Sequence, residues 1–113
     1  MFEKDKLNIL TLLDAIEKIA NYSSGYKNAD DFYENERDFD ASMMNFIIIR
    51  EMASRLSDKL IEENSQIDWF RIRGFRNLVA HDYFGIDAEE VWQIIKNHLP
   101  KLENDLRAIL KKS

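Results

Sequence analysis

Cysteine is absent from the chain, and with it go disulfides, thiol nucleophiles and every thiolate zinc site. Three glycines and one proline leave too few tight-turn formers for a sandwich or small barrel. Only two histidines, His81 and His98, are present, so a three-histidine metal centre is excluded; neither a metal nor a cofactor is expected. The longest apolar run, Phe46 to Ile49, is too short to cross a membrane. The start, Met1-Phe2-Glu3-Lys4-Asp5, lacks the apolar stretch of a secretory leader, and the expected location is the cytoplasm. An excess of positive charge is missing too. Sixteen basic against twenty-one acidic residues give a net charge of -5, so any recognition of nucleic-acid phosphate must be local.

What remains is a chain of 113 residues with 45% hydrophobic content, enough for a single domain over 1–113. From Lys6 to about Tyr22, Ile9, Leu13, Ile16 and Ala20 repeat every three or four residues, with Leu10, Leu12 and Ile19 widening the stripe. That spacing predicts a helix ending near Gly25, followed by a short helical turn around Ala29 to Tyr33. A longer second helix is predicted from roughly Asp38 to Glu63, with Phe39, Met43, Phe46, Ile47, Ile49, Ala53, Leu56 and Leu60 facing a core. Its middle is apolar all round, which predicts neighbours on both sides. Asp68 suits the N-cap of a third helix starting at Trp69, and Asp87, with Glu90 three residues on, that of a fourth starting at Ala88. Pro100 must then kink the chain or start a new helix, after which Leu102, Leu106, Ile109 and Leu110 continue the stripe. No strand-like alternation competes. The fold class is all-α, an up-and-down bundle of four to five helices.

The stretch after Asp68 does not behave like an ordinary amphipathic helix. With Trp69 at zero and about 100 degrees per residue, Ile72, Phe75, Val79 and Ala80 define an apolar arc, and Arg76 falls inside it. An arginine there must snorkel, pair with a carboxylate, or meet an arriving molecule. Gly74 lies on the other side, and a glycine within a helix predicts a close approach to the backbone. Arg76 and His81 are about 140 degrees apart on a straight helix. Either the helix ends between them, or a second chain completes the site.

The residues Arg76-Asn77-Leu78-Val79-Ala80-His81-Asp82-Tyr83 have the form R-N-x-x-x-H-x-Y. With Trp69 ahead of them, Tyr83-Phe84-Gly85-Ile86-Asp87 and Val91-Trp92 behind, and Leu99-Pro100 beyond, the chain resembles the HEPN domains. Within these it is most similar to the HepT toxins of HEPN/MNT toxin–antitoxin pairs. The resemblance implies a HEPN-like helical bundle and a metal-independent endoribonuclease toxin of a type II/VII-like pair. It also implies a homodimer whose cleft joins the motif helices of both subunits, with RNA as substrate and an MNT-type nucleotidyltransferase as antitoxin partner. On these grounds Arg76 stabilises the phosphate, His81 is the general acid and base, Asn77 supports RNA binding, and Tyr83 accepts AMP from the antitoxin; Arg73, at the edge of the Arg76 face, joins Asn77 as a supporting RNA-binding residue. Arg50 departs from the pattern, because such chains usually carry a small glycine there, at a close helix contact.

Elementary chemistry is compatible with those roles. RNA carries its own nucleophile, the 2′-hydroxyl, so cleavage needs a proton acceptor, a proton donor and a counter-charge for the phosphorane. An imidazole, with an ordinary pKa of about 6.5, serves the first two and a guanidinium the third. Read without their flanks, Arg76 and His81 would equally suit a structural ion pair and a helix-end histidine. Tyr83 would equally suit a packed ring with its hydroxyl turned inward, which exposure of that hydroxyl distinguishes. Trp69, Trp92, Phe75 and Phe84 read as core or interface aromatics, and His98 as a surface or packing residue. The alternative function is a non-catalytic helical subunit that binds and regulates a nucleotidyltransferase; a plain scaffold protein is a third. Under the ribonuclease reading, Arg71, Arg73 and Arg76, doubled by a two-fold axis, make the cleft the one positive region of an acidic surface.

Overall fold

Asn28, Asn35, Ser57, Asp68 and Asp87 each accept a hydrogen bond from the backbone N–H three residues on, and each opens a helix. The structure is a computed structural model, and it describes residues 1–75 and 87–112. The helices are α1 (Glu3–Ser23), α2 (Ala29–Glu34), α3 (Glu36–Ser54), α4 (Asp58–Glu63) and α5 (Trp69–Arg73). After the segment 76–86 come α6 (Ala88–Gln93), a π turn (Ile94–His98) and α7 (Leu99–Lys111). No strand occurs among the described residues, and the architecture is an all-α bundle.

The long pair α1 and α3 forms its backbone. Asp5 and Asn8, near the start of α1, bond Ser57 and Arg55, beyond the end of α3, so the two helices run antiparallel. Ile9, Leu12, Leu13, Ile16 and Ile19 on α1 meet Phe39, Met43, Phe46 and Ile49 on α3 within one core. Phe32 of α2 is fully enclosed, with ring centroids of Tyr26, Phe39 and Trp92 at 5.6, 5.4 and 5.8 Å. It thereby ties the α1–α2 connector to α3 and α6. The Tyr26 hydroxyl donates to Asp38 Oδ2 at 2.5 Å, and this carboxylate, with the ring's partial burial, raises the phenol's pKa above 10.0.

Three expectations are corrected. Leu10 does not widen the buried stripe of α1 but is exposed. The single helix expected from Asp38 to Glu63 is broken between Ser54 and Asp58. The apolar spacing runs on through Leu56 and Leu60, both buried, so periodicity gives no sign of the break. Its cause is remote: the carboxylate of Asp5, only 3% exposed, accepts from Ser57 N at 2.9 Å and Ser57 Oγ at 2.6 Å. Ser57 Oγ in turn accepts from Leu60 N and caps α4. Asp5→Ala should lower stability by about 1.5–3 kcal/mol, because it removes a charged acceptor and strands the Ser57 amide. Urea unfolding checks this, with the midpoint falling at unchanged slope. Third, the apolar middle of α3 is enclosed only in part: Phe46 and Ile49 are buried, and Ile47 and Ile48 are half-buried against the core.

Pro100 starts a new helix, one of the two outcomes that its place in the sequence allows. Its ring removes an amide and clashes with the carbonyl four residues back. The backbone widens in answer: Leu99 N–H bonds Ile94 O, five residues back, and α7 begins with the proline in its first turn. Arg50 sits half-buried on α3, bonded from Nη1 to Glu51 Oε1 at 2.6 Å, with its buried Nε lacking a hydrogen-bond partner among the described residues.

Candidate functional site

Asp68 Oδ1 accepts from Arg71 N at 2.9 Å and starts α5 where the sequence predicts. Trp69 is buried and donates from Nε1 to Asn64 O at 3.0 Å, which fixes the helix at its first residue. Ile72 and Phe75 are buried as well, and the Phe75 ring stands edge-on to Phe46, centroids 5.1 Å apart at 84°. On the far side, Asp87 Oδ1 accepts from Glu90 N at 3.0 Å, and Val91 and Trp92 bury the inner face of α6. The chain on both sides of the motif is therefore held by a cap and a buried aromatic. Arg76, Asn77, His81 and Tyr83, with Val79, Ala80, Phe84 and Gly85, lie outside the described residues.

Arg73 is described: it is exposed on α5, with no ion-pair partner among the described residues. Arg71, also exposed, lies 3.5 Å from Asp68 through Nε. Between Asp68 and Asp82 the sequence holds three arginines and no carboxylate, in a chain of net charge -5. Gly74 corrects the expectation of a mid-helix glycine under close approach. It ends α5, donating its N–H to Phe70 O and Arg71 O at 3.1 Å. Among the described residues, a Cβ placed on it would meet only the carbonyl oxygens of Arg71 at 3.2 Å and Phe70 at 3.7 Å. Phe75 keeps the buried place that the wheel gives it, and the positions from Arg76 to His81 lie outside the described residues.

One residue of this region escaped sequence reasoning. Phe70 projects into solvent, 86% exposed, beside Arg71 and Arg73. Its signal was available on the same wheel, where it stands about 100 degrees from Trp69, outside the apolar arc. A groove of about 200 Å³ also adjoins α5, with Arg71, Phe75, His98 and Lys101 among its lining residues. Asp68 and Asp105 line it too and balance its charge. The larger cavity, about 550 Å³, lies at the other end, by Phe2, Asp5, Leu60 and Ile109, and holds none of the candidate residues. Among the described residues no helix is long and apolar enough to cross a membrane.

Comparison with known proteins gives the family. Across 106 residues, 94% of this chain, it is 28% identical to the "Gamma-glutamylcyclotransferase and putative RNase" of Methanocaldococcus jannaschii, covering 47% of that protein. It is 34% identical over 65 residues to a "Putative RNase" of Caldanaerobacter subterraneus subsp. tengcongensis, covering 58% of each chain. A second M. jannaschii "Putative RNase" is 28% identical over 95 residues, 74% of this chain and 87% of that one. The chain thus spans about half the length of the first two relatives. No solved structure matches it. Residues 12–109 match the family described as "Ribonuclease HepT-like", so most of the chain, the motif and both its anchored flanks included, is accounted for by one family, and the chain belongs to the HepT-like ribonucleases.

Proposed function

We propose that this protein is a metal-independent endoribonuclease in which the 2′-hydroxyl of the RNA attacks the adjacent phosphorus. The observation that carries the reading is the motif Arg76-Asn77-x-x-x-His81-x-Tyr83 within a chain of the HepT-like ribonuclease family. The printed names of its relatives point the same way. Further support comes from Arg71 and Arg73, exposed on the helix that leads into the motif.

In this mechanism an imidazole of His81 accepts the 2′-hydroxyl proton as the bond from that oxygen to phosphorus forms. The bond from phosphorus to the 5′-oxygen then breaks, and the protonated imidazole returns a proton to the leaving oxygen. The products are a 2′,3′-cyclic phosphate and a 5′-hydroxyl. Arg76 spreads two N–H donors over the non-bridging oxygens, where negative charge accumulates in the transition state. Asn77 and Arg73 hold neighbouring parts of the RNA. A homodimer brings the two motif segments to one cleft, and the whole acts in the cytoplasm as the toxin of a pair.

The antitoxin is a nucleotidyltransferase that moves AMP from a nucleoside triphosphate to the Tyr83 hydroxyl, with loss of pyrophosphate. The added phosphate and base oppose RNA sterically and by charge. Two measurements test the reading. Purified protein should cut RNA equally well with and without a chelator and leave cyclic-phosphate ends; cleavage that stops in the chelator refutes metal independence. Protein co-produced with its partner should gain the mass of one AMP, and Tyr83→Phe should gain none; modification that persists in the variant moves the acceptor elsewhere.

A further inference from the structure

Phe70 is the most exposed of the large apolar side chains described, at 86%. It stands on α5 one turn from Arg73, about 60 degrees around the axis, and side chains so spaced are neighbours, with Cβ atoms about 5–6 Å apart. The next position on that side is Gly74, where no side chain projects and where, among the described residues, no other element lies within van der Waals reach of a Cβ. The outer face of α5 therefore presents a bare aromatic ring, a guanidinium without an ion-pair partner among the described residues, and an open floor. We infer that Phe70 and Arg73 form a nucleotide subsite, in which an unpaired RNA base stacks on the Phe70 ring and Arg73 holds a neighbouring phosphate.

This rests on the ribonuclease reading and extends it from the scissile bond to how the strand is held. Charge selects the occupant. An apolar protein surface covering Phe70 would also bury the Arg73 guanidinium without a counter-charge, which costs several kcal/mol. A single-stranded polyanion supplies both a π face and the anion, and the stretch from Trp69 to His81 has three arginines and no acid to repel it. Because the chain as a whole carries -5, contacts with RNA must concentrate on such a strip. Bases buried in a duplex present no free face, so the subsite selects single strands.

The test is binding of a short fluorescein-labelled 2′-O-methyl oligonucleotide, which cannot be cut by 2′-hydroxyl attack, followed by anisotropy across a salt series. Phe70→Ala should weaken binding about tenfold, with Phe70→Leu equally weak and Phe70→Trp close to wild type. Arg73→Ala should flatten the slope of log affinity against log salt by about 0.7, the value of one phosphate contact on a single strand. Since Phe70 is exposed, thermal melts of its variants should match wild type. Wild-type affinity in Phe70→Ala overturns the subsite, as does Phe70→Leu restoring full binding, which would mean bulk rather than stacking. Loss of self-association in Phe70→Ala with RNA affinity intact likewise overturns it, in favour of a protein contact. Cleavage by wild type with unaltered binding in Phe70→Ala sinks the subsite alone, whereas a wild type that neither binds nor cuts RNA sinks the ribonuclease reading with it.

Discussion

His81→Ala should cut RNA about 10²–10⁴-fold more slowly than wild type, the usual worth of a positioned general acid and base. Arg76→Ala should lose a comparable factor, about 10²–10³-fold, through the missing counter-charge for the phosphorane. The double variant should be scarcely worse than the poorer single one, because the two groups serve one transition state and their effects do not add. Single-turnover cleavage at saturating protein separates this loss of chemistry from loss of binding. Arg76→Lys is the informative partner, since it keeps the charge but not the planar fork, and should recover only part of the rate. If both alanine variants cleave like wild type, neither residue is catalytic. If no protein of the set cleaves, wild type included, the chain fits instead a helical subunit that binds and regulates a nucleotidyltransferase.

Phe46→Ala should destabilise the fold by about 3–5 kcal/mol, the cost of removing a fully buried aromatic and leaving a cavity. Phe46 is fully enclosed on α3 and packs edge-on against Phe75, the residue immediately before Arg76. A domain of this size is stabilised by about 5–15 kcal/mol in all, so one such change consumes a large part of it. Phe46→Leu, closer in volume, should cost less. Denaturant unfolding measures both, and cleavage assayed well below the variant's melting temperature reports whether the Phe75 anchor also orients the motif. A variant as stable as wild type would show that this ring contact is not part of a tightly packed core.

The helix starts at Asp68 and Asp87 were legible because a cap acts over three residues and leaves its mark in the sequence. The burial of Trp69, Phe75 and Trp92 was legible from residue type and spacing. The motif was legible only as a pattern. Its residues Arg76, Asn77, His81 and Tyr83 lie outside those the structure describes, and the roles proposed for them rest on the motif. The Gly74 helix end was misread as the interior of a longer helix, because one glycine carries no local mark of which it will be.

The sequence by itself determined an all-helical chain, the caps at Asp68 and Asp87 and most of the faces that form the core, since all of these follow from interactions within one or two turns. Only the tertiary structure decided where the run from Asp38 to Glu63 breaks. That break depends on a carboxylate 52 residues away, Asp5, bonding Ser57, and no window of local sequence contains both partners. Tertiary packing likewise decided that Leu10 faces solvent, because whether an apolar side chain is covered depends on the elements that reach it and not on its own turn.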